Sequence, residues 1–207
     1  NVQGSNGGTA LMNAAIQGHP AVVRCLLRAG ADTKLRSENG KSALQLAKEN
    51  GHAECIEAFR QHIAEVTASQ REAAAGGTGG ASSGEAAAAA GASASSLGSL
   101  PEEARQSAAR GDEAALLAWR DSGGQVNATC GVGDASGVTA LMLAASQGQE
   151  GVVELLLQRG AEINKQDDNG STALWDAANH GPDRVVELLL QRGAEIDLQN
   201  SGHDTAL

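Results

Sequence analysis

The phrase VVELLLQRGAEI stands at Val152–Ile163 and returns letter for letter at Val185–Ile196, 33 residues later. Each copy follows a second shared phrase containing TAL: GVTALMLAASQGQ at Gly137–Gln149 and GSTALWDAANHGP at Gly170–Pro182. A fixed period of this size marks a solenoid, in which one supersecondary unit stacks on copies of itself. Within the unit the TAL phrase predicts a short helix with paired alanines, which allow close approach. Val-Val-x-Leu-Leu-Leu predicts a second helix with a broad apolar face. Gly160 and Gly193 stop that second helix, since glycine reverses the backbone there without steric cost.

Working outward, the same pattern opens the chain. TALMNAAIQ at Thr9–Gln17 predicts a first helix, Gly18-His19-Pro20 a tight corner, and Ala21–Ala29 a second helix that Gly30 ends. Ser42 lies 33 residues after Thr9 and restarts the unit. The next helix, from about His52, meets no glycine until Gly76 and is expected to run to about Arg71. Its Ile56, Phe59, Ile63 and Val66 repeat at threes and fours over only two heptads, too few for a coiled coil. It is expected to cover the exposed end of the first block. Of the 28 residues from Ala73 to Leu100, 24 are Ala, Gly or Ser; this is expected to be a disordered linker. Pro101–Asn127 predicts a helix pair without the usual entry turn. Cys130–Gly137 reads as a long glycine-rich turn; it is not a phosphate loop, because no Lys follows and no strand is expected before it. After two regular units, the chain closes on Thr205-Ala206-Leu207. The end, DLQNSGHDTAL, resembles the beginning, NVQGSNGGTAL, so the chain is expected to be a window cut from a longer array. Its two blocks are expected to move independently unless the ends of their stacks dock.

Composition narrows the function. Net charge is −10, and the acid is concentrated late: residues 101–207 carry seven basic and seventeen acidic side chains, whereas residues 1–72 carry eight and seven. An acidic block repels phosphate backbones, so no nucleic-acid partner is expected. No apolar run approaches a membrane span. Cys25, Cys55 and Cys130 form no CxxC pair, and reduced core thiols are expected. His52, Cys55 and His62 lack a fourth zinc ligand, so no metal or cofactor is expected. Phe59, Trp119 and Trp175 are the only aromatics. Trp119 is expected in the core, and Trp175 is expected to pack rather than to stand out as an exposed anchor. Ser, His and Asp occur without catalytic spacing, so no enzyme activity is expected.

These residues resemble the ankyrin repeat. Asp167-Asp168-Asn169-Gly170-Ser171-Thr172-Ala173-Leu174 matches the turn and helix start of its pattern. Ala177-Ala178 matches its paired alanines, Val185–Leu190 its second helix, and Gly193-Ala194-Glu195-Ile196-Asp197 its exit. The likeness covers about four-fifths of the chain. It departs where the family's Thr-Pro-Leu-His has Ala10, Ala43, Ala140 and Ala173 for Pro, and Met12, Gln45, Met142 and Trp175 for His, which suggests softer turns.

The resemblance implies an all-α ankyrin-repeat solenoid in two blocks, residues 1–72 and 101–207, joined by the linker 73–100. It implies a non-catalytic scaffold that binds a protein partner through fingertip turns and a concave helix face. The alternative is a regulatory or substrate-recruiting array of a larger enzyme whose catalytic part lies outside this chain. It places His19 and His52 at structural corners. By position in the family pattern, partner-facing residues are Glu38, Asn39, Lys41, Glu49 and Asn50 in the first block. In the second they are Val138, Ser146, Gln147, Asp168, Asn169, Ser171, Asp176, Asn179 and His180. With Asp134, Asp167, Asp168 and Asp176 on that side, a basic surface is the expected match. The cytoplasm is the expected compartment, with the nucleus as the alternative; the oligomeric state is not legible.

Overall fold

The computed structural model describes residues 8–75, 99–133, 135–180 and 183–200. The expectations for a disordered linker over 76–98, for Asp134 and for a helix opening at Thr205 fall outside these residues. Among the described residues are ten helices, arranged as five pairs. The first helices are α1 (Ala10–Gln17), α3 (Ala43–Glu49), α5 (Glu102–Arg110), α7 (Ala140–Ser146) and α9 (Ala173–His180). The second helices are α2 (Pro20–Arg28), α4 (Ala53–Ala75), α6 (Glu113–Asp121), α8 (Glu150–Gln158) and α10 (Asp183–Gln191).

The threonine of TAL is a helix cap. Thr9 and Thr139 accept from the backbone N–H groups of Met12 and Met142, each at 3.3 Å. Thr172 accepts from Trp175 at 3.2 Å and Ser42 from Gln45 at 3.4 Å. Each satisfies an otherwise orphaned donor and contributes about 1 kcal/mol. At Ser42 the Gln45 side chain returns the bond to the Ser42 N–H at 2.9 Å, so this glutamine closes a capping box where the family pattern has histidine. The alanine pairs are fully buried (Ala14, Ala15, Ala144, Ala145, Ala177 and Ala178), which lets first helices touch backbone to backbone. Gly18 has φ +77°, and a Cβ on it would lie 2.6 Å from the His52 ring of the next repeat. It therefore meets two demands that only glycine meets at once.

The spatial order of repeats differs from the chain order. α7 packs between α5 and α9, but the other side of α9 packs on α1, and α1 in turn on α3. α10 meets both α8 and α2. The late block thus docks its last described repeat on the first repeat of the early block, giving one stack that runs α5/α6, α7/α8, α9/α10, α1/α2, α3/α4. The seam between residues 200 and 8 repeats the bonding of covalent steps. Asn200 donates from its N–H to the Gly8 carbonyl at 3.2 Å, and its Oδ1 accepts the Gly8 N–H at 2.7 Å. Asp167 makes the same pair of bonds with Ser171, at 3.0 and 2.8 Å. Gln199 Nε2 reaches the Arg36 carbonyl at 3.3 Å, as Gln166 reaches that of Gln199 at 3.2 Å. His19 Nε2 meets the Asn179 carbonyl at 3.1 Å, as His52 Nε2 meets that of Ile16 at 2.8 Å. The corner histidines are structural, as expected, and each ties a repeat to its predecessor.

Three expectations need correction. Cys130–Gly137 is not merely a turn: β1 (Thr129–Val132) and β2 (Ala135–Thr139) form an antiparallel hairpin, with Thr129 opposite Thr139 and Cys130 opposite Val138. Glycine-rich composition masked the alternation that would have marked strands. The absence of a preceding strand therefore cannot argue against a phosphate loop here, although the absence of a following Lys still does. The linker is shorter than 73–100. Ala73–Ala75 continue α4, Ser99 bridges to Thr129, and Leu100 is buried with its N–H on the Thr129 carbonyl at 2.9 Å. Finally, α4 outruns Arg71. Phe59 is core, whereas Ile63 is 51% exposed and Val66 is exposed as well, so the apolar stripe covers the stack only along its first half.

Candidate functional site

Successive turns between repeats adjoin one another along the stack, Gln166 bonding to the Gln199 carbonyl and Gln199 to that of Arg36. Each finger is held from within. In Asp167–Ser171 the Asp167 carboxylate accepts the N–H groups of Asn169 at 2.9 Å and Ser171 at 2.8 Å. Burial pushes the Asp167 carboxyl above the usual carboxylate range, those two bonds oppose the rise, and the neighbouring Asp168 charge adds to it. The β1–β2 hairpin leans on this finger, where the Asp168 N–H donates to the Ser136 carbonyl at 3.0 Å. In the early block the finger closes from the Ser37 N–H to the Lys41 carbonyl at 3.0 Å.

Glu38 and Asn39 are exposed at their finger. Lys41 and Glu49 come together as an ion pair at 2.7 Å, and Asn50 turns its amide back to the Leu46 carbonyl. Gln147 and Asp168 are exposed, while Ser146 and Asn169 are half-buried. Exposed His180 meets the Asp176 carbonyl through Nδ1 at 2.9 Å. Val138 is 7% exposed and Ser171 6%, so neither offers its side chain to a partner; family position placed them on the rim, and the hairpin and the Asp167 turn enclose them. Asn179 is also engaged. Its Oδ1 accepts from Asn13 Nδ2 at 3.1 Å and Gln17 Nε2 at 2.9 Å, so it belongs to the seam.

Asp176 is the least ordinary of the set. It sits in α9 between α7 and α1, and neither neighbour carries a charged side chain (ALMLAAS and ALMNAAIQ). Loss of solvent pushes its carboxyl up to about 7, and the Asp167 charge adds to the rise. Among the described residues, none of Asp167, Asp168 and Asp176 forms an ion pair. Beside it, Trp175 is half-buried and its Nε1 is sealed from solvent without an acceptor; packing dominates there, as expected. Trp119 is half-buried against the core.

The thiols do not build a site. Burial raises Cys25, Cys55 and Cys130 above the ordinary thiol value, which disfavours the reactive thiolate. Among the described residues no group of His, Cys, Asp and Glu could hold a metal ion, and no helix is long and apolar enough to cross a membrane. The seam residues Asn13, Gln17, Asp32 and Asp197 were not singled out from sequence. A sequence signal existed only for His19, whose corner position bonds backward to another repeat; Asn13, Gln17, Asp32 and Asp197 carry no periodic mark of their own.

The family model described as ankyrin repeats matches residues 1–70 and 106–200, in three copies. Similar proteins include one named as a candidate E3 ubiquitin-protein ligase, XBAT34, of Arabidopsis thaliana, 35% identical over 69 residues, which are 33% of this chain and 18% of that protein. Cortactin-binding protein 2 of Oryctolagus cuniculus is 39% identical over 64 residues, 30% of this chain and 4% of that protein. Notch-regulated ankyrin repeat-containing protein B of Danio rerio is 40% identical over 53 residues, 26% of this chain and 48% of that protein. The chain spans less than half the length of each.

Proposed function

This chain belongs to the ankyrin-repeat family, whose repeats are non-catalytic protein–protein interaction modules, and we propose that it is a scaffold binding a protein partner with a basic surface. The proposed surface comprises the fingers and first-helix ends at Glu38, Asn39, Lys41, Glu49 and Asn50, and at Ser146, Gln147, Asp168, Asn169, Asp176 and His180. One observation carries the choice of a basic partner. Asp168 is exposed and Asp176 half-buried, with no cation paired to either among the described residues. A desolvated carboxylate without a donor gains more from an incoming Lys or Arg than a solvated one, because the cost of removing water from it is already met. Acid on the rim also speeds encounter with a cationic partner and weakens with salt.

Selection of a random-peptide display library against the full chain tests this. Enrichment of Lys- and Arg-rich peptides is expected, with association several-fold slower for Asp168→Asn/Asp176→Asn and in high salt. Peptides without basic enrichment, or binding indifferent to both changes, would overturn it.

The Arabidopsis relative favours a second reading, in which the array recruits substrates for a larger enzyme. That reading keeps the same surface and places the chemistry elsewhere.

A further inference from the structure

The seam between the blocks differs from the two covalent steps within the late block. At those steps an asparagine side chain bridges two repeats with both of its polar atoms. Asn127 accepts the Glu162 N–H at 2.9 Å and donates to the Glu162 carboxylate at 3.0 Å. Asn164 does the same with Glu195, at 2.9 and 3.0 Å. At the seam the corresponding pair is Asp197 and Asp32. Asp197 still accepts the Asp32 N–H, at 3.1 Å, but a carboxylate has no proton to donate to the second carboxylate. That rung therefore keeps one bond of two, and the Asp32 carboxylate accepts instead from its own Lys34 N–H at 2.7 Å.

The covalent connection is also remote from the seam. The chain leaves the early block through α4, at one end of the stack, and enters the late block through Ser99, which pairs beside α5 at the other end. The 23 residues between Ala75 and Ser99 reach at most about 80 Å at roughly 3.5 Å each. Four helix-to-helix steps of about 8–10 Å separate the two ends, so docking within one chain is within reach. A second copy meets the same face without having to span the stack, and every bond across the seam is non-covalent.

We propose that the α9–α10 face is an exchangeable docking surface whose occupant is the Gly8–Arg28 repeat of a second copy of this chain, giving a reciprocally swapped dimer with two seams. Such a dimer uses the bonds already seen within one chain, since swapping exchanges an element without redesigning the interface.

Two full-length variants test it. Asn13→Arg spoils the early face of the seam, and Asn179→Arg spoils the late face. Each alone should remain a monomer by light scattering, with its helicity retained by circular dichroism. Mixed in equal amounts they retain one intact face of each kind, and the scattering mass should double. A mixture of folded variants that stays at the mass of one chain would overturn the proposal. So would doubling by either variant alone, which would place the contact elsewhere. Should either variant lose helicity, the wild type decides: an affinity-tagged pool mixed with an untagged one should capture it after concentration, and capture of none would overturn exchange.

Discussion

The twelve residues Val152–Ile163 and Val185–Ile196 are identical but do not sit in identical places. The first copy builds α8, whose repeat is followed in the chain by the next repeat of the stack. The second builds α10, whose next neighbour, α2, comes from the other end of the chain. Both bury the same face: Val152, Val153 and Leu156 in one, Val185, Val186 and Leu189 in the other. Leu156 is 4% exposed and Leu189 0%. A solenoid's repeat-to-repeat complementarity is therefore indifferent to whether a peptide bond joins the repeats. What differs lies at the edges of the interface, where Asn164 faces Glu195 and Asp197 faces Asp32. Local sequence sets which face is buried, and the neighbour sets how firmly it is held.

The leucines offer the sharpest test of that comparison. Leu156→Ala and Leu189→Ala should each cost about 2–5 kcal/mol by loss of burial plus a cavity, and Leu189→Ala should cost at least as much as Leu156→Ala. If the seam were open, Leu189 would sit near an uncovered end and its truncation would cost clearly less. Urea denaturation of the two variants decides between these.

Asp176 gives the next largest effect. Its carboxyl titrates near 7 when folded, well above the ordinary carboxylate value of the unfolded chain. Between about pH 4 and 7 the folded chain therefore holds a proton that the unfolded chain has lost, and stability falls as pH rises through that window. Asparagine cannot ionise. Asp176→Asn should match the wild type near pH 4 and exceed it by about 1–3 kcal/mol at pH 8, allowing for partial exposure. Denaturation at both pH values checks this, and a difference independent of pH would mean that the carboxylate is solvated.

The smallest effect separates the rungs. Asp197→Asn should restore the missing amide-to-carboxylate bond toward Asp32 and stabilise the chain by about 0.5–1 kcal/mol. Asn164→Asp should cost a similar amount at the covalent step. Equal and opposite shifts in the denaturation midpoint are expected. No response at 197 would detach that rung from the stability of the seam.

Period and phrase carried most of the fold into the sequence. The Thr caps, the alanine pairs, the Val/Leu faces and the corner histidines all act locally or on the adjacent repeat, and local roles leave periodic traces. The hairpin left none, because Gly131 and Gly133 interrupt its alternation. The seam is legible only in part: DLQN at 197–200 resembles the chain's opening, and that likeness does not say that Asn200 bonds Gly8. Of the candidate surface, position in the pattern located the fingers but not their burial. Val138 and Ser171 are enclosed by partners specific to their own turns, and Asn179 by a helix more than 160 residues away in the chain. The desolvation of Asp176 likewise depends on which helices flank α9, and the seam supplies one of them.

Hydrogen exchange at paired amides tests the continuous stack most directly. The Gly8 and Asp32 N–H groups bond across the seam to Asn200 and Asp197, and the Ser171 and Glu195 N–H groups make the matching bonds within the late block. A stack continuous through the seam predicts that Gly8 is protected like Ser171, and Asp32 like Glu195, to within about tenfold. Exchange of Gly8 and Asp32 at the rate of open amides, with Ser171 and Glu195 still protected, would contradict it.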